Sequence, residues 1–146
     1  MIAVNSIGYR LYTLCASDPV LITSAYVTAL GDPIYPDQVQ GPRITIQPEA
    51  FKIAPGLMQA LTSGAYRGSV GFNLFHTYWD AQCSANIFLR LMQFEDQLTS
   101  MVASNPLLDG LVDNLESMEA AWHQYDPDSS DIAQVRVITL RYTVRG

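Results

Sequence analysis

Apolar residues recur at helical spacing from the start of the chain. Val4, Ile7, Leu11 and Leu14 fall on one stripe, which predicts a helix over 1–17. Asp18-Pro19 closes it, because the residue before a proline is pushed out of the α region. The apolar run 20–30 fits a strand or a short helix equally. Gly31, Pro33, Pro36, Gly41 and Pro42 make 31–42 a loop, since Pro and Gly interrupt both kinds of element. Arg43–Gln47 reads as a compact strand that Pro48 stops, and 49–62 as loop with a short helical turn.

Residues 66–79 switch to a period of two. Tyr66, Val70, Phe72, Leu74, His76 and Tyr78 share one parity; Arg67, Ser69, Asn73 and Thr77 share the other. That alternation predicts a half-buried strand, with Gly68 and Gly71 permitting a bulge or a close backbone approach. Asp80 is placed to N-cap a long amphipathic helix over 81–104. Its apolar stripe is Ile87, Leu91, Phe94, Leu98 and Met101, opposite Asn86, Arg90, Gln93, Gln97 and Ser100. Asn105-Pro106 ends it. Leu111, Leu115, Met118 and Trp122 then keep helical spacing over 114–125, where strand alternation is poor. Residues 126–131 form an exposed acidic turn. The last segment, 132–145, is rich in β-branched residues. Ile138, Leu140, Tyr142 and Val144 lie on one face, and Val135, Val137, Thr139 and Arg141 on the other. Apolar residues on both faces predict a central strand. These elements fit one domain, 1–146, of the α+β class. It is a mainly antiparallel sheet with an N-terminal helix and one long helix packed on one face.

Composition adds a constraint. Of 146 residues, 49% are hydrophobic and 15% charged, the net charge is −6, and Lys52 is the only lysine. An ordinary soluble domain carries about 25% charged residues, and charge is what keeps a free monomer apart from its neighbours. So little charge predicts that other subunits cover much of the surface. No basic stripe supports tight nucleic-acid binding. No run of 18 apolar residues predicts a membrane span, and no leader precedes an apolar run, so synthesis in the cytoplasm is expected.

Candidate chemistry is sparse. Cys15 and Cys83 stand far apart without a CxxC or a histidine cluster, and read as small buried hydrophobes. His76 sits on the apolar parity of its strand and reads as a core or interface histidine. His123 lies four residues after Glu119, which reads as a surface pairing or a simply solvated histidine rather than a metal site, because zinc needs three or four ligands. Asp126, Asp128 and Asp131 resemble the start of a calcium loop. No glycine follows, however, and Val137 occupies the twelfth position where a glutamate belongs. Nucleophile-elbow, phosphate-loop and zinc-helix motifs are absent. The expectation is no cofactor, no metal and no catalytic role; an enzyme or ligand-binding domain using His76 or His123 is the alternative.

In element order the chain resembles the tail terminator (tail completion) proteins of long-tailed bacteriophages. The resemblance runs through the N-terminal helix, Asp32-Pro33-Ile34-Tyr35-Pro36, the strand 43–47, the strand 66–79 and the helix 81–104. It is most marked in Asn105-Pro106-Leu107-Leu108-Asp109-Gly110-Leu111-Val112, the acidic turn and 132–144. It implies that 114–125 is a strand in a hairpin with 132–144, against the helical spacing there, and that expectation is adopted. It further implies a homohexameric ring that caps the head-proximal end of the tail tube, ends tube polymerisation and offers a docking surface to the head connector. The implied partners are copies of itself, tail tube protein and neck or connector protein, with sheath protein if the tail is contractile. DNA would pass through without specific binding, no membrane is involved, and the location would be the virion. A different neck adaptor of the same particle is the nearest alternative. Candidate interface residues are Tyr9, Arg10 and Tyr12 on the first helix, where Tyr and Arg favour contacts. Ile34, Tyr35 and Val39 in the 31–42 loop, and Asp126, Asp128 and Asp131 in the acidic turn, complete the set. The missing charge is expected on the ring flanks and end faces.

Overall fold

The N-terminal periodicity forms helix α1 (Val4–Ser17), which buries Ile7, Gly8, Leu11 and Cys15. This is a computed structural model, and it describes residues 4–31, 41–53, 67–78, 84–123 and 135–145. The predicted stop at Asp18-Pro19 is also a start. Asp18 caps a second short helix, α2 (Pro19–Thr23), its carboxylate accepting from the Leu21 N–H at 3.0 Å. Pro19 fits the first turn, where its missing N–H costs nothing. The ambiguous run 20–30 therefore holds both elements: α2, a tight turn with Ala25 at φ 63°, and strand β1 (Val27–Leu30).

Strand β2 (Arg43–Ile53) corrects the sequence reading, because Pro48 does not stop it. The parallel partner β1 covers only Arg43 to Ile46. Beyond that point β2 is a sheet edge among the described residues, where a proline's missing donor is tolerated. The register with the next strand slips between Pro48 and Phe51, a bulge at that edge. Of the segment read as loop, 49–53 is strand, and 54–62 lies outside the described residues.

Strand β3 (Arg67–Thr77) and helix α3 (Ser84–Ser104) match the expected strand and helix; Asp80 lies outside the described residues. Strands β4 (Asn114–His123) and β5 (Val135–Arg145) complete a five-stranded sheet of order β1-β2-β3-β5-β4, antiparallel except for β1–β2. β3 and β4 run in the same direction, each antiparallel to β5, so β3–α3–β4 is a crossover unit with β5 inserted. β5 is central, as its two apolar faces predict.

The conflict over 114–125 resolves as strand for 114–123, with 124 and 125 outside the described residues, and the pairing explains the misleading spacing. Leu115 faces Tyr142 and Met118 faces Leu140, with a register shift between Leu115 and Ser117. One extra residue puts two side chains three apart on the same face. Trp122 then follows by strand alternation. A bulged strand thus reads as a helix in the sequence.

Paired residues point to the same side of a sheet. On one side, Ile44 and Ile46 line up with Val70, Phe72 and Leu74, and with Ile138, Leu140, Tyr142 and Val144. Ile7, Leu11 and Cys15 of α1, Leu21 of α2, and Phe94, Leu98, Met101 and Val102 of α3 close over them. Each fully buried Leu, Ile or Phe contributes about 1.5–3 kcal/mol. Gly8 lets α1 lie close: a Cβ there would stand 2.8 Å from the Phe72 ring. After α3, a turn with Leu108, Asp109 and Gly110 at positive φ carries Leu108 and Val112 into the same core. A leucine in that conformation is strained, and its complete burial holds it there.

Candidate functional site at the two sheet edges

His76 is the most perturbed histidine described. It is fully buried in β3, stacked on Phe94 at 4.8 Å between centroids, with Nε2 2.6 Å from the Tyr26 hydroxyl. Burial, and then the Arg90 cation, push its pKa down to about 3, so the ring is neutral. Burial also pushes the Tyr26 phenol up. The expected core histidine is what the geometry gives. Cys15 is buried as expected, and burial together with Asp18 holds its thiol at about 12, so the reactive thiolate is suppressed. Cys83 and the side chain of His123 lie outside the described residues. Among the described residues no group of three His, Cys, Asp or Glu side chains could hold a metal ion, and no helix is long and apolar enough to cross a membrane.

A groove of about 410 Å³ runs between α2 and α3, floored by Leu21, Tyr26 and Phe94. Polar side chains that the helical spacing assigns to the solvated face of α3 are spent here instead. Gln97 donates to both Asp18 carboxylate oxygens at 3.1 Å, and Arg90 donates to the Ser24 carbonyl at 3.0 Å and covers the Tyr78 ring. They tie the α2 turn to α3.

On the side of the sheet away from the helices, Glu49 and Arg141 join at 2.9 Å across β3, and Arg141 reaches Glu119 at 3.6 Å. Gly71 makes this crossing possible, since a Cβ there would lie 2.1 Å from the Glu49 carboxylate. The expected bulge or close backbone approach at Gly71 is not what β3 forms: the register with β5 runs on unbroken, and a side-chain bridge passes over the glycine instead. The Arg141 hydrogen bond holds the Glu49 carboxyl below its usual range.

Of the candidate interface residues, Tyr9 is 60% exposed. Tyr12 stacks on Tyr9 at 6.0 Å and packs partly against the core. Arg10 is held by Asp109 at 2.7 Å. Ile34, Tyr35, Val39, Asp126, Asp128 and Asp131 lie outside the described residues.

The surface the sequence reading missed lies at the two opposite edges of the sheet. Beside β1, Val20 and Ile22 of α2 and Val27 and Leu30 of β1 are each more than half exposed. Beside β4, Phe88, Leu89 and Met92 of α3 and Trp122 of β4 stand out, with Phe88 edge-on to Trp122 at 5.8 Å. Arg136 covers Trp122 and pairs with Glu95. In sequence Phe88 and Met92 sit next to the buried stripe, and nothing marks them as uncovered. The available signal was that apolar residues on α3 outnumber what one stripe needs.

The charge also has a location. All eight Arg and Lys, and eight of the fourteen acids, are among the described residues. The other six acids are Asp32, Asp37, Asp80, Asp126, Asp128 and Asp131. The described scaffold is thus formally neutral, and the whole net charge of −6 belongs to the three segments that carry these aspartates.

No family model matches the chain, and no curated protein sequence is similar to it.

Proposed function

We propose that this chain is a virion structural protein, a tail terminator that caps the head-proximal end of a phage tail tube as a homomeric ring. The observation that carries the reading is the pair of uncovered apolar edges on a scaffold without net charge. A single edge would serve a symmetric dimer. Two different edges on opposite sides suit a heterologous contact that closes into a ring. The element order supports the same reading: a helix, a long strand feeding a long helix, then a hairpin, as the resemblance implies. In this role the ring ends tube growth and offers its other surface to the neck, and its net-negative segments repel the passing DNA.

The test is assembly of particles lacking this chain. Tails of uncontrolled length are the expected result. Tails of normal length that fail to join heads would instead assign the chain to a neck adaptor.

A further inference from the structure

We propose that α2 is a latched strap, which opens away from α3 as a unit while the rest of the core stays folded. Its five residues bury one side chain, Leu21, and leave Val20 and Ile22 more than half exposed. A helix this short, with one apolar anchor, has little of its own to hold it in place. The chain leaves it through Ala25 at φ 63°, a left-handed conformation that strains any residue with a Cβ. Between α2 and α3 lies the groove of about 410 Å³ rather than interlocked side chains.

The latch is polar. At the start of α2, Gln97 donates to both oxygens of Asp18, and Asp18 in turn accepts from the Leu21 N–H. At its end, Arg90 donates to the Ser24 carbonyl at 3.0 Å. Both donors come from α3, roughly two turns apart, so they grip the two ends of α2 across the groove. The chain is anchored on either side of this segment. Before it, Cys15 is buried in α1; after it, the Tyr26 hydroxyl meets His76 and the Val27 N–H donates to the Pro42 carbonyl. The moving part is therefore 19–25. In the open position the groove loses one wall, which bares Leu21 and the groove face of Phe94. Val20 and Ile22 also move away from Val27 and Leu30, which stay with the sheet. The latch thus decides whether those four exposed side chains form one surface.

Amide hydrogen exchange, read residue by residue by NMR, tests the strap through its own bonds. The Ile22, Ser24 and Ala25 N–H groups donate to the Asp18, Val20 and Ile22 carbonyls at 3.0 Å each, and are shielded only while the turn is formed. In the parent these amides should exchange about 100-fold faster than those of Ile138 and Leu140 in β5, which is paired on both sides. Arg90→Met and Gln97→Met, each made alone, should speed the α2 amides about tenfold further and leave β5 unchanged. Either variant suffices if the other misfolds. An α2 that exchanges at the β5 rate in the parent would overturn the proposal, because the turn would then open only with the whole fold. Variants that speed β5 equally, or that leave the α2 amides at the parent rate, would overturn it too.

Discussion

On the helix side of the sheet, Leu74, Ile138 and Leu140 are fully buried beneath α1 and α3. On the other side of the same strands, Asn73, Thr139 and Arg141 remain partly exposed, linked by a 2.8 Å Thr139–Asn73 hydrogen bond and the Glu49–Arg141 pair. A shift of one residue separates the two environments. Apolar burial carries about 25 cal/mol per Å², whereas exposed ion pairs contribute little. The helix side therefore contributes most to stability; the other side is open around Asn73, Thr139 and Arg141, while at its far end Thr45, Phe75, Thr77 and Val135 are buried.

The comparison breaks most plainly at Leu140. Leu140→Ala should cost about 2–5 kcal/mol by leaving a cavity between the helices and β5, read as a lower urea midpoint. Next, Gly8→Val should cost about 1–3 kcal/mol, because its first carbon already meets the Phe72 ring at 2.8 Å; thermal unfolding would measure it. His76 gives a pH signature confined to the helix side. Its folded pKa is about 3, while in the unfolded chain it titrates near 6.5. As pH falls below about 6.5, only the unfolded chain takes up this proton. Stability should then drop by about 1.4 kcal/mol per pH unit until about pH 3. His76→Gln, which can keep a bond to Tyr26, should flatten that slope relative to the parent in urea titrations between pH 6.5 and 4. The smallest effects belong to the open side. Gly71→Ala and Arg141→Ala should shift the melting temperature less than either core variant, and Gly71→Ala should have no further effect once Arg141 is already Ala.

The elements that were legible in the sequence are those whose own pattern decides them. β3 and β5 alternate, and α3 repeats, whatever lies beside them. Others depended on neighbours. Pro48 stays in β2 because β1 is too short to need its N–H, and the bulge before Ser117 gave β4 a helical spacing. Gln97 and Arg90 read as solvated residues because their partners, Asp18 and Ser24, lie more than 60 residues away in sequence. The shortage of charge was read as surface covered by other subunits, and of the residues chosen for it on α1, Tyr9 is exposed while Arg10 is held by Asp109. The edges use Ile22, Leu30, Phe88 and Met92, which in sequence look the same as core.

The proposed role is a ring of copies of this chain capping a tail tube. Electron microscopy of the purified protein, alone and mixed with tail tube protein, tests that claim most directly. Closed six-membered rings, free or seated on tube ends, are the predicted result; single chains at every concentration and bare tube ends would contradict it.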